Sequence, residues 1–535
     1  MGGCDILIRG GEVIDGTGGE PVRADVAILG DRIAAIGPAA SGADAKLTID
    51  AGGLVVTPGF IDIKTHSDFT LPLNPLAESK IRQGVTTEVI GHCGFSVAPA
   101  LPGKVAMLRD YLSPSAPWLE FRETSFEDYL GTFPATSTNV CTLVGHNTLR
   151  LMVMGMAPRP AERAEIDAMA ALLEEALAAG ALGLSTGLFT PPGSYAETGE
   201  IVALAHVLAR HGAGYFTHLR DEANRVFAAL DEAVAVGEAA GVHVQVVHAK
   251  LSGLDNWGRA GDFIAAIEAA RARGVRIDCD QYPYTAASNP LKNLLPPWVQ
   301  SDRLDEMTAR LADADVRTRI RAEIASNGLN NFGRIPDWNA IRISVSPHKS
   351  GYAGRTIAEI ARETRAEPID CLCDYLIADR CATRVLVSSI GEEDVKTFVR
   401  SPHVCVGSDG NCVAPYGVTS QGRPHPRFYG TFPRIIGRYV RDQHLLPLEA
   451  AIAKMTGAPS RALGLEQRGL LREGWFADIA IFDPQDFTEA ATYEDPHRYP
   501  SGGATSVIVN GAVTVKRATH TGARKGRLLR RPNQS

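Results

Sequence analysis

Apolar and polar positions change texture twice along the chain. Residues 1–57 hold short runs in which Val, Ile and Leu partly alternate with polar residues, "DILIRGGEVID", "ADVAILGDRIAAIG" and "KLTIDAGGLVVTPG". Turn glycines separate them, and alternation with such breaks predicts short, half-buried strands. The same texture returns over 475–516 in "FADIAIFD" and "TSVIVNGAVTVKR". The middle is different. "STNVCTLVGH", "ALGLSTGL", "AGYFTHLR", "HVQVVHAKL", "VRIDCDQYPY" and "VCVGSDG" carry apolar runs of the kind that bury on both faces of a parallel sheet. Between several of them lie Ala-rich helical patterns. "PAERAEIDAMAALLEEALAAG" begins after proline and ends at glycine, as helices prefer, and "NRVFAALDEAVAVGEAAG" and "GDFIAAIEAARARG" behave alike.

Strand and helix in alternation predict an α/β fold, a (β/α)8 TIM-type barrel, over residues 58–474. Residues 1–57 and 475–520 are expected to form one small β-sandwich domain built from both termini. The polar helical stretch near 300–340 reads as an insertion over the barrel mouth. The basic stretch at 521–535, "ARKGRLLRRPNQS" with the residues before it, is expected to be a solvated, disordered tail.

Composition narrows the function classes. The chain has 535 residues, 45% of them apolar and 21% charged, with a formal net charge of −7. That balance argues against a general nucleic-acid binder, which needs a basic surface to displace phosphate counterions. No apolar run approaches the roughly 20 residues that span a bilayer, so no membrane partner is expected. "MGGCDILIRGGEVIDGTGG" reads as strand and turn and not as a signal peptide. Nine scattered cysteines do not make a disulfide framework, and a reducing cytoplasm fits them best. "GTGGEP" near residue 16 is a turn that matches no nucleotide fingerprint.

Barrel active sites gather at the C-terminal ends of strands. Here those ends carry Lys64 and His66, His92 and Cys93, His146, His218, His248 with Lys250, Tyr282 and Asp409. Any one of them has a bland reading: a hydrogen-bonded core histidine, a cysteine acting as a small hydrophobe, a rim lysine, a turn aspartate. Their coincidence at successive strand ends points to a metal site. Thiolate and imidazole suit zinc, which needs one position left open for water. Asp409 is suited to move a proton between water and a leaving group. His92 and Cys93 are adjacent and on a strand face opposite ways, so at most one faces the metal; spacing does not choose between them.

These residues carry a resemblance. "GGLVVTPGFIDIKTHSD", "RQGVTTEVIGHCGFSVAP", "YFTHLRDE", "QVVHAKLSG", "DQYPYTAAS", "VGSDG", "RPHPRFYGTFPRIIGRYV" and "GWFADIAIFDP" resemble the N-acyl-D-amino-acid deacylases (D-aminoacylases) of the amidohydrolase superfamily, nearly end to end. "GHCGFSVAP" and "HPRFYGTFPR" are the specific part; "PGFID" and "ADIAIFD" mark only the superfamily. The resemblance implies zinc-dependent hydrolysis of N-acyl-D-amino acids to a carboxylate and a free D-amino acid. It implies one tight zinc on Cys93, His218 and His248, Asp409 as general acid/base, and substrate contacts from Lys250, Tyr282, Ser288 and Arg427. Chemistry agrees on two points. The substrate is an anion, and a planar guanidinium at Arg427 matches a carboxylate.

One stretch departs from the family. Where many members have His-x-His and a second, weaker metal, this chain has Lys64-Thr65-His66. A protonated lysine cannot ligate a metal. The second site is expected to be weak or absent, with His66 left as a weak contact or a hydrogen-bonding neighbour, and the role of Lys64 open. Two rivals remain: a cyclic-amide hydrolase of the dihydropyrimidinase or hydantoinase type, and a non-catalytic scaffold that has lost its metal. The sequence leaves a homo-oligomer open.

Overall fold

The computed structural model describes residues 3–300 and 304–531. Ser301–Arg303, at the start of the expected insertion helices, and 532–535 of the tail lie outside them.

Strands Phe60–Asp62, Val85–Ile90 and Asn139–Thr142 form a three-stranded parallel sheet. Val144–Gly145, Gly183–Gly187, Gly214–His218, Val244–Val246, Ile277–Gln281 and Val404–Val406 form a six-stranded one, each pairing in parallel with the next. Only Leu143 separates Asn139–Thr142 from Val144–Gly145, so the chain steps from one sheet into the other. At the opposite edges Thr65 bridges Gly410 in parallel, and the Asp409 N–H donates to the Lys64 carbonyl. The edges of the two sheets therefore meet on both sides.

The Ala-rich patterns become helices Arg163–Ala178, Val226–Ala240 and Ala260–Ala272. Glu162 and Glu165 close a capping box at the first, satisfying amides that a helix start leaves free. Gly241 ends the second at a φ of 68°, a conformation glycine adopts without a Cβ clash. Leu173, Leu204, Leu230, Phe263 and Ile267 pack onto Leu184, Tyr215, Val244 and Ile277 of the sheet in one apolar cluster. This burial of helix stripes on strands is the largest source of stability available to such a layered arrangement.

The two ends of the chain share a nine-stranded sheet. Val55–Pro58 joins Ile479–Phe482 antiparallel, which links the N-terminal strands to those running to residue 520. Ile6, Ile8, Val26, Ile28, Ile33, Ile479, Ile481 and Ile508 form its core. All nine cysteines are buried free thiols. Among the described residues, no helix is long and apolar enough to cross a membrane.

Two expectations need correction. The insertion is larger than 300–340. Strands Ala286–Pro290, Arg384–Ser388 and Ile341–Val345 make an antiparallel sheet. Helices between Leu304 and Ala378 pack on it around Leu294, Leu311, Ile320, Ile343, Leu372 and Val385. The polar helices are readable alone, but the strand pairing spans about a hundred residues and leaves no local signal. The tail is also not free. Gly526 and Leu529 amides donate to Thr136 and Val140 carbonyls, and the Val140 amide donates to Arg527. Leu528 and Leu529, the apolar pair inside "GRLLRR", anchor that stretch along the Asn139–Thr142 strand.

Candidate metal centre and substrate cavity

Successive strands deliver the metal-capable side chains. Cys93 follows Val85–Ile90, His218 ends Gly214–His218, and His248 follows Val244–Val246. Cys93 Sγ lies 3.5 Å from His218 Nδ1 and 3.3 Å from His248 Nε2. All three ligand atoms lie within 4.8 Å of one another, and all three residues are buried. Cys93, His248 and Asp409 have backbone φ of 57°, 39° and 48°. This left-handed region is uncommon for residues with a Cβ and concentrates at functional sites. It breaks strand alternation at the point where each strand ends. Gly187 makes room for this backbone: a Cβ there would stand 2.1 Å from the Cys93 carbonyl oxygen.

A carboxylate orients both imidazoles. Glu222 Oε2 lies 3.3 Å from His218 Nε2, and Oε1 lies 3.1 Å from His248 Nδ1. The nitrogens facing Glu222 are those turned away from Cys93, the arrangement that fixes metal-ligating histidines from behind. Asn331, from the insertion, donates to Glu222 Oε2 at 3.0 Å and accepts the Glu222 amide at 2.7 Å. Asp280 Oδ1 accepts the His248 amide at 2.7 Å. Phe189 stacks on the His218 ring with centroids 4.1 Å apart.

The charges follow from burial and these neighbours. Burial, then Lys250, holds His248 neutral well below the ordinary imidazole range, and burial lowers His218 against the pull of Glu222. Neutral rings are what a metal ligand requires. Burial pushes the Cys93 thiol up to about 12, with Lys64 opposing it. Burial works against the Glu222 charge, but His218, Lys250 and His248 outweigh it and keep the carboxylate well below its usual range. A thiol and two neutral imidazoles converging from buried residues, with a carboxylate behind the rings, fit a divalent metal of borderline softness.

Asp409 lines the same cavity as these three residues. Its Oδ1 accepts from Lys64 Nζ at 2.5 Å and its Oδ2 lies 2.8 Å from Arg427 Nη2. Lys64 Nζ also stands 2.9 Å from His66 Nε2. Burial opposes the Asp409 charge, yet Arg427 and Lys64 hold it well below the carboxylate range. Burial and Lys64 push His66 down to about 4. Lys64 itself is fully buried, not a rim lysine.

These groups floor a cavity of about 890 Å³. His66, Cys93, His218, His248, Asp409 and Arg427 line it, with Ser288 on its wall and Phe69, Phe95, Met107 and Trp118 on its apolar side. Arg427 starts the helix Arg427–Arg434, and its Nε and Nη1 are buried with no partner among the described residues. The Tyr282 ring lies under that guanidinium at 4.5 Å, and its hydroxyl is likewise buried and unpartnered. Lys250, expected at the substrate carboxylate, donates its Nζ to Glu222 at 2.6 Å and stands 2.8 Å from His248 Nδ1. His92 points its Nε2 at the Ile63 carbonyl, and His146 pairs with Glu200 at 2.7 Å, so neither joins the trio.

Sequence reasoning passed over Glu222, Asp280, Asn331 and Arg384. Glu222 had a weak signal, a carboxylate four residues after His218; Asn331 and Arg384 reach the site only through the folded insertion.

An amidohydrolase family model matches residues 47–515. The chain is 38% identical over 529 residues to the D-aminoacylase of Alcaligenes xylosoxydans xylosoxydans, covering 98% of each. It is 37% identical over 532 residues to that organism's N-acyl-D-glutamate deacylase, covering 98% of this chain and 96% of the relative. Among solved structures, the N-acyl-D-glutamate deacylase of Bordetella bronchiseptica, complexed with zinc and a phosphonate mimic of the tetrahedral intermediate, superposes with a TM-score of 0.83. That match has 34% identity and covers 99% of this chain and 100% of the other. The chain therefore belongs to the amidohydrolase family and, within it, to the D-aminoacylases and N-acyl-D-amino-acid deacylases.

Proposed function

We propose that this enzyme hydrolyses N-acyl-D-amino acids to a carboxylate and a free D-amino acid, using one zinc held by Cys93, His218 and His248. The carrying observation is the convergence of those three ligand atoms within 4.8 Å, on the floor of a cavity that Asp409 also lines. In this reading the two parallel sheets are one (β/α)8 barrel with the site at its C-terminal rim, and the nine-stranded sheet is the small domain beside it. A zinc ion there supplies Lewis acidity, acidifying a water and polarising the scissile carbonyl.

The protein's own groups do the rest. The Asp409 carboxylate takes the proton of the attacking water and passes it to the leaving amine nitrogen. Lys64 and Arg427 keep that carboxylate ionised and fixed in orientation. Glu222, backed by Lys250 and Asn331, holds the two imidazoles in place. Arg427 offers its unpartnered nitrogens to the substrate α-carboxylate. The unpaired Tyr282 hydroxyl donates to the carbonyl oxygen as it gains charge, and Ser288 contacts the substrate from the cavity wall. Lys64 fills the space between His66 and Asp409 with a fixed positive charge and so excludes a second cation. The test is Asp409→Asn. It should retain its zinc and lose turnover of N-acetyl-D-amino acids; near-normal turnover removes Asp409 from the mechanism.

A further inference from the structure

Arg427 and Ser288, two of the proposed substrate contacts, come from distant parts of the chain, and one buried imidazole joins them. Arg427 opens the helix Arg427–Arg434, whereas Ser288 lies on the insertion strand Ala286–Pro290. His425 is fully buried and lines the cavity. Its Nδ1 accepts the Arg427 N–H at 3.0 Å, and its Nε2 lies 2.8 Å from the Ala286 carbonyl oxygen. An Nδ1 that accepts carries no proton, so the neutral ring keeps its proton on Nε2 and donates it to Ala286. Burial and the neighbouring Arg427 hold this ring well below the ordinary imidazole range.

The sequence gives the ring its place. A helix start leaves its first amides without intrahelical partners. Pro426, at the N-cap, makes no side-chain cap. The His425 ring, one residue earlier, accepts the amide that Pro426 leaves free. Tyr284 and Tyr493 meet that ring edge-on with centroids 5.0 and 5.2 Å away, and Tyr282 does so at 6.0 Å. Edge contacts of this kind favour one ring orientation. The Arg427 guanidinium is held by Asp409 at Nη2 and by the Tyr282 ring, while its Nε and Nη1 have no partner among the described residues. Where those two nitrogens stand depends on the Arg427 backbone, which His425 fastens to the strand that carries Ser288.

We propose that His425 is a positioning residue: its neutral imidazole fixes the Arg427 backbone against the insertion strand and so sets the spacing of two groups that hold the substrate. This rests on the deacylase reading above and adds to it a residue that acts through Arg427.

The experiment compares three substitutions of His425 on N-acetyl-D-leucine, with zinc content and a thermal melt measured for each. His425→Asn places an amide oxygen where Nδ1 stands and keeps the acceptor for the Arg427 N–H. His425→Gln places an amide nitrogen where Nε2 stands and keeps only the donor to Ala286. His425→Leu keeps neither. H425L and H425Q should raise KM by about ten- to a hundredfold, the range of one misplaced charge-assisted hydrogen bond, with kcat within about threefold of wild type. H425N should recover most of the wild-type KM, and zinc content should stay the same in all three. A wild-type KM in H425L overturns the proposal, as does a loss of kcat at unchanged KM. Equal KM values for H425N and H425Q also overturn it, and that pair decides if H425L does not fold. If none of the three folds, the ring is a folding element only and the positioning role falls. All these outcomes leave the deacylase reading standing. A wild-type enzyme that turns over no N-acyl-D-amino acid overturns that reading and this role with it.

Discussion

The Lys64 ammonium lies 2.5 Å from Asp409 Oδ1, fully buried, with His66 Nε2 2.9 Å from the same nitrogen. A lysine in this position is a fixed cation beside the proposed proton carrier. It orients the carboxylate and occupies the place between two groups that otherwise suit a metal. Lys64→His should therefore raise bound zinc from near one to near two per chain, measured by elemental analysis after dialysis. Lys64→Met should keep the first zinc but lower kcat by about ten- to a hundredfold, as the carboxylate loses its anchor. A wild-type protein that takes up two tight zinc ions would contradict this role.

Cys93 and His92 are neighbours with opposite fates. Cys93 meets both histidines, whereas His92 turns to the Ile63 carbonyl. Cys93→Ala is expected to lose zinc and turnover together, and His92→Gln to keep its zinc. Metal content of the two purified variants distinguishes them. Zinc retained in Cys93→Ala would move the ligand role elsewhere.

Glu222 contacts both imidazoles from behind and does not itself line the cavity. Glu222→Gln should weaken zinc binding by about ten- to a hundredfold, as removal of such supporting carboxylates does. Competition with a chelator at fixed pH reads this directly, without any substrate. Unchanged affinity would mean that the rings are held by packing, chiefly by Phe189.

His146 and Arg150 share the buried Glu200 carboxylate, and none of the three lines the cavity. Burial opposes the Glu200 charge, but His146 and Arg150 prevail and lower its pKa. A carboxylate lowered on folding stabilises the protein above its unfolded pKa, near 4.3, and loses that contribution as pH falls through the folded value. Glu200→Gln leaves Arg150 buried and unpaired, which costs about 3–5 kcal/mol. The stability gap to wild type should be full at pH 7 and close under acid conditions, while zinc content stays the same. Denaturant melts at several pH values test the sign.

Much of this site is legible in the sequence because barrel-like chains write their chemistry at strand ends. Cys93, His218, His248 and Asp409 each follow an apolar run, so local pattern alone marks them. Glu222 is harder to see. It lies beyond its strand, among charged residues that look like any solvent-facing loop. Asn331 and Arg384 belong to an insertion whose strands pair across about a hundred residues, and no local period announces that. Lys250 shows a different limit. Strand alternation places it on the same face as His248, and the Glu222 carboxylate together with the neutral His248 ring holds its ammonium there. The tail misleads for a related reason: its arginines suggest solvent, while Leu528 and Leu529 decide where it lies.

The central claim is that this cavity deacylates D-amino acids with one bound zinc. The most direct measurement is a paired panel of N-acyl-D- and N-acyl-L-amino acids, with zinc counted in the same preparation. The account predicts turnover of D substrates alone, at close to one zinc per chain, abolished by chelation and restored by zinc. Equal turnover of L substrates, or opening of hydantoin rings without any D-deacylation, would contradict it.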